Sequence, residues 1–176
     1  MAFNRLGKAQ ASLEFLTTYG WAFLVILIMI GTLAYFGILK PSKILPNRCN
    51  IGPEFQCLDH QIKYGTGADG TFKLRLKNNV GETIALSAIN PISLSSEGSI
   101  PFACGTAPAN LPTGNPSVWA SGNILDLTWS GCNSAASGMT AGEKGKVLLK
   151  ISYYSVNSGS GYAKEVNGEV FTTVIQ

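Results

Sequence analysis

The chain has 176 residues and a formal net charge of +3, with only 13% of its residues charged. That length holds one domain of ordinary size beside a terminal apolar segment. The positive excess, partly carried by Arg5 and Lys8 ahead of that segment, is too small for a dedicated nucleic-acid binder, and the Gly, Ser, Thr and Asn that replace charge are common in extracellular β-domains.

The first element is apolar. From Phe15 to Leu39, 25 residues pass without a charge or a proline; as a helix this run extends about 37 Å, enough to cross a bilayer. The pattern predicts a continuous helix to about Lys40, stopped by Pro41 and followed by Pro46. Tyr19, Trp21, Phe23, Tyr35 and Phe36 lie near its two ends, where aromatic side chains suit a membrane interface. Basic residues stand on both sides, Arg5 and Lys8 before and Lys40 and Lys43 after, so flanking charge does not orient the helix. Orientation comes from Cys49, Cys57, Cys104 and Cys132, which all follow the run. An even count in an exported domain favours disulfides, which leaves the short N-terminal tail in the cytoplasm.

Three readings compete for this run. A cleaved secretory signal would place small residues such as Thr32 and Ala34 before the cut, but the apolar run is longer than the usual stretch of about 7 to 15 residues. A plain single-pass anchor explains the hydrophobicity and leaves Glu14 and the preceding "GKAQAS" patch without a role. The third reading cuts between Ala9 and Gln10, which makes Gln10 the first residue and Glu14 the fifth. "KAQASLEF", followed by "TYGWA" and a long aliphatic stretch, resembles the class III signal peptide of archaeal type IV pilins. The resemblance covers residues 5 to 39 in motif and the remainder only in architecture.

That resemblance implies the following roles. Lys8 and Ala9 are the residues before the cut, Gln10 is the new N-terminus, and Glu14 is the family's glutamate at the fifth mature position. A prepilin peptidase in the membrane removes residues 1 to 9. The pilus assembly machinery then bundles the helices of many copies, residues 10 to 40, into a filament core. Gln10 stands where bacterial pilins carry an N-methylated phenylalanine.

Elementary energetics agree on Glu14. A carboxylate at mid-membrane costs about 2.5 to 3.5 kcal/mol, and far less at the interface, where it stays hydrated. After the cut, the Gln10 amine of one subunit can meet Glu14 of another in an apolar bundle. Such a pair adds little net stability but penalises every register that leaves the carboxylate unpaired. The plainer alternative is an interfacial glutamate favoured by the helix dipole. Gly20 and Gly31 permit close helix approach.

Residues 41 to 60 read as a linker closed by a disulfide. Three connectivities are possible for four cysteines; Gly52 and Pro53 favour a local Cys49 to Cys57 loop, which leaves Cys104 with Cys132. From Gln61 onward, apolar residues alternate with polar ones. "TFKLRLKN", "TIALSAI", "ILDLTW", "KVLLKISYY" and "KEVNGEVFTTVI" read as strands. Gly168 is a bend or bulge, "VNSGSG" a hairpin turn, and residues 97 to 123 a long loop holding Cys104. The expected fold class is therefore α+β: a long hydrophobic helix followed, over 61 to 176, by an all-β, Ig-like sandwich of six to eight strands.

The remaining motifs carry little chemistry. "GTGADG" matches a dinucleotide-binding pattern but precedes a strand, so it reads as a hairpin loop. Cys57 and His60, with Cys49, make half of a zinc pattern, but cysteines already paired leave no thiolate to ligate. The row Lys73, Arg75 and Lys77 reads as a solvated strand face, and "NPS" from Asn115 to Ser117 is blocked as a glycosylation acceptor by its proline. No nucleophile, acid–base pair or cofactor is expected, nor a specific nucleic acid or small-molecule substrate. The expected partners are the membrane before assembly, the peptidase and assembly machinery, and further copies of the chain. The competing expectation is a single-pass, membrane-anchored extracellular β-domain that acts as a binding module.

Overall fold

Thirty residues without proline, rich in Leu, Ile, Ala and Phe, form one uninterrupted helix, α1 (Leu6–Tyr35). Its last turn closes with the Phe36 amide donating to the Thr32 carbonyl at 3.0 Å. The computed structural model describes residues 6–36, 45–67, 69–87, 91–96, 100–105, 107–112, 114 and 117–176. The expected continuation to Lys40 and the stop at Pro41 lie outside those residues, as do Arg5 and most of the "NPS" motif. The chain divides into two units, Met1–Ile44 and Leu45–Gln176.

The second unit contains nine strands among the described residues: β1 (Arg48–Asn50), β2 (Phe55–Lys63), β3 (Gly70–Asn78), β4 (Ile84–Leu86), β5 (Ile92–Ser95), β6 (Ser117–Trp119), β7 (Ile124–Cys132), β8 (Lys144–Ser155) and β9 (Lys164–Ile175). The long ones follow the alternation of their sequences. On β3, Phe72, Leu74 and Leu76 are buried while Lys73 and Arg75 are exposed; on β8, Val147, Leu149, Ile151 and Tyr153 point into the core.

The strands join in one continuous sheet of order β6-β4-β8-β9-β2-β3-β7, with β1 also on β9 and β5 also on β8. Its two halves are linked by a short parallel pairing of β2 with β9, Ile62 to Val174 and Lys63 to Ile175. An expectation of two separate sheets misses this link, because a two-residue parallel pairing leaves no local pattern. Both halves contribute to one hydrophobic core. In it Phe55 stacks on Trp119 and meets the edge of Tyr153, and Phe72 stacks on Trp129.

Two boundaries and one glycine differ from the expected reading. The sheet begins at Arg48, so residues 48 to 60 contribute β1 and β2 instead of a linker. Residues 97 to 123 include β6 and send Phe102 and Trp119 into the core, Phe102 edge-on to Phe72. Gly168 is not a bulge: β8 and β9 keep one register from Lys144↔Thr173 to Tyr153↔Lys164. The glycine is needed because a Cβ there would lie 2.8 Å from Ile51 Cγ1 and 3.0 Å from the Asn50 carbonyl oxygen.

The bulges fall elsewhere. β7 breaks register opposite Gly70/Thr71, where Gly131 adopts φ 69°, a left-handed conformation that suits glycine. β2 breaks register between Cys57 and Asp59, which leaves Leu58 as an extra residue. Disulfides join Cys49 to Cys57 and Cys104 to Cys132. The first ties β1 to β2, and the second ties the 100–105 segment to the end of β7.

Candidate functional site

The helix is the first candidate. Its Thr17–Tyr35 segment, 19 residues with a mean hydropathy of 1.8, is long and apolar enough to cross a membrane. No described side chain of α1 is buried: Phe15 is 64% exposed, Trp21 68% and Ile28 56%. Apolar residues cover every face, the pattern of a helix that meets lipid or other protein all round. Two threonines within the span bond to the helix backbone. Thr17 Oγ1 donates to the Leu13 and Glu14 carbonyls at 3.0 and 3.1 Å, and Thr32 Oγ1 donates to the Met29 carbonyl at 2.8 Å.

Each sequence-derived residue has a place on this helix. Lys8, Ala9 and Gln10 belong to its first turns; their side chains lie outside the described set. Glu14 is exposed, about one turn before the apolar span begins at Thr17. Four residues separate it from Gln10, so the two share a helix face. Gly20 and Gly31 are eleven residues apart, about three turns, and so fall on one side. A Cβ at either would meet nothing within 4 Å. An interior glycine costs a helix about 1 kcal/mol relative to alanine, and no contact within the described chain calls for either one.

Sequence patterning missed one feature of the same helix. Phe15, Tyr19, Phe23 and Ile26 surround the small Ala22 and Gly20 to form an apolar notch, with the Phe15 and Tyr19 ring centroids 4.7 Å apart. Their i, i+4, i+8 spacing is the signal that would have found it.

The second candidate is the outer face of β2, β3 and β7, where Asp59, Gln61, Lys73, Arg75, Asp126 and Thr128 line a shallow polar groove. Arg75 and Asp126 pair across β3 and β7 through two hydrogen bonds, Nε to Oδ1 at 2.5 Å and Nη2 to Oδ2 at 3.0 Å. The guanidinium hydrogen bond holds the Asp126 carboxyl below its ordinary pKa and raises that of Arg75. The expected basic row of Lys73, Arg75 and Lys77 is thus neutralised at its centre.

The third lies beside the first disulfide. His60 Nδ1 is 3.9 Å from Cys57 Sγ, and His60 Nε2 is buried without a hydrogen-bond partner. Burial pushes the His60 pKa below its ordinary value, against a smaller opposing pull from the Asp59 carboxylate. No protein-family model, curated protein or solved structure matches the chain.

Proposed function

We propose that the chain is the subunit of an archaeal type IV pilus, cut before Gln10 and polymerising through its helix into an extracellular filament that serves adhesion. The observation that carries this reading is α1 itself: apolar on all faces, with nothing in its own unit to cover it, bounded at its N-terminal lip by one carboxylate, and followed by a disulfide-bonded β-domain. In the membrane, lipid would cover that surface; in a filament, the helices of neighbouring copies would replace lipid. Small residues allow backbones to approach, so Gly20 and Gly31 are the natural contact points. The amine of Gln10 and the carboxylate of Glu14 would set the axial stagger, since a register that buries either alone is strongly disfavoured. On this reading the protein has structural work to do and catalyses no reaction.

Mass spectrometry of the mature N-terminus tests the cut. A chain beginning at Gln10 is expected; one beginning at Met1, or after Ala34, would sink the proposal. Glu14→Ala should insert into membranes as well as the wild type or better, yet yield few or no filaments by electron microscopy. Wild-type filament yield from this variant would reduce Glu14 to an interfacial charge. The polar groove around the Arg75–Asp126 pair favours a second reading, a membrane-anchored binding module, for which microscopy of the purified protein would show no filaments at all.

A further inference from the structure

Cys57 and His60 are three residues apart, an odd spacing that places side chains on opposite faces of a regular strand. The bulge in β2 changes this. Leu58 takes no partner on β3, so the alternation restarts at Asp59, and the His60 ring comes within 3.9 Å of the Cys57 sulfur. Bulges commonly re-aim a side chain in this way beside a functional site. Cys49 arrives from the other direction, held on β1 by pairing with Val170 of β9. One donor atom from each of Cys49, Cys57 and His60 then lies within 4.8 Å of the other two. In the oxidised protein the imidazole nitrogen near the sulfur is Nδ1, while Nε2 of the same ring is buried without a hydrogen-bond partner.

We propose that Cys49, Cys57 and His60 form a redox-gated site for a soft divalent cation of the zinc type, closed by the disulfide and opened by its reduction. Two thiolates and an imidazole are the donor set such a cation prefers, with water as the fourth ligand. Opening needs a dithiol reductant. Its two sulfurs supply two electrons to the Cys49–Cys57 bond, which breaks; the reductant leaves as its own disulfide, and its two protons pass to the cysteines. Cation binding expels those two protons as both thiolates coordinate. At a metal–sulfur distance of about 2.3 Å, a tetrahedral centre holds its sulfurs about 3.8 Å apart, close to the contact distance of non-bonded sulfurs. The β1–β9 and β2–β3 ladders position both cysteines independently of the covalent bond, so the site survives its opening. This proposal stands apart from the pilin reading and draws on none of it.

The test uses the full chain in detergent, oxidised or reduced with a phosphine, titrated with cobalt(II) and followed by absorption. The oxidised chain should stay silent. The reduced chain should take up one equivalent with a thiolate-to-cobalt charge-transfer band while keeping the β signature of its circular dichroism. His60→Ala should weaken cobalt affinity at least tenfold, and His60→Cys should restore it. A reduced chain with no band, an affinity indifferent to His60→Ala, or loss of the β signature on reduction would each overturn the proposal.

Discussion

The helix and the sheet use the same apolar vocabulary and treat it in opposite ways. On β3 and β8, Phe72, Leu76, Val147 and Ile151 are fully buried, and the polar groups that accompany them into the interior find partners. Asn78, for example, donates through Nδ2 to the Glu82 and Trp119 carbonyls and accepts from the Val80 amide. On α1, Leu13, Phe15, Trp21 and Ile28 are each more than half exposed. A unit that buries its own apolar surface folds for its own stability. One that presents it all round has the pattern of a helix covered by lipid or by other protein.

The largest effect that can break this contrast is loss of a matched aromatic from each region. Phe72 packs against Trp129 and Phe102 in the core, so Phe72→Ala should destabilise the sheet by about 3 to 5 kcal/mol. Phe23→Ala on the helix should leave thermal unfolding of the sheet, followed by near-ultraviolet circular dichroism, where it was. Equal destabilisation by the two variants would show that the helix is part of the same folding unit.

A smaller effect separates two kinds of glycine. At Gly168 an added methyl would press on the buried Ile51 and on the Asn50 carbonyl, and Asn50 is held in place by the β1–β9 pairing, so Gly168→Ala should cost about 1 to 3 kcal/mol of overpacking. At Gly20 the same methyl meets open space. Gly20→Ala should therefore leave the isolated subunit unharmed, with helicity improved by up to about 1 kcal/mol. If Gly20 serves helix association, filament yield should fall nonetheless. A Gly20→Ala variant that assembles normally would remove that glycine from the contact surface.

These contrasts also explain what could be read from the chain before its fold was known. β3 and β8 were legible because each keeps a strict two-residue period against one core, and β7 because its period holds from Leu125 to Trp129, ahead of the bulge at Gly131. β2 was not legible as a strand, since the extra Leu58 shifts the phase halfway along and makes "FQCLDHQI" look irregular. β5 and β6 are three or four residues long and bury little beyond Ile92 and Trp119, too short a run for periodicity to stand out from its Gly, Ser and Pro surroundings. The continuity of the sheet rests on the β2–β9 pairing, a long-range event with no local signature. Glu14, Gly20 and Gly31 were readable as residues out of place. The His60 cluster was readable only as a spacing, because the bulge that assembles it is a property of the register.

The smallest expected effect concerns charge. The Arg75–Asp126 pair is exposed on both sides, 52% and 54% by side chain, where solvent screens most of its attraction. Asp126 has its folded-state pKa lowered by the Arg75 hydrogen bond. Its contribution is therefore fully present above the unfolded value of 3.8 and is lost as pH falls through the folded one. At neutral pH, Asp126→Asn should shift the melting midpoint by no more than the error of the measurement, and any difference from the wild type should shrink further in acid. What the variant should alter is the outer face, where Lys73, Arg75 and Lys77 would become an uninterrupted basic row with increased, salt-sensitive retention on an anionic matrix. A large stability loss would mean that this face is structural. Unchanged stability with altered retention would mean that the sheet can vary its outward charge without cost to its fold.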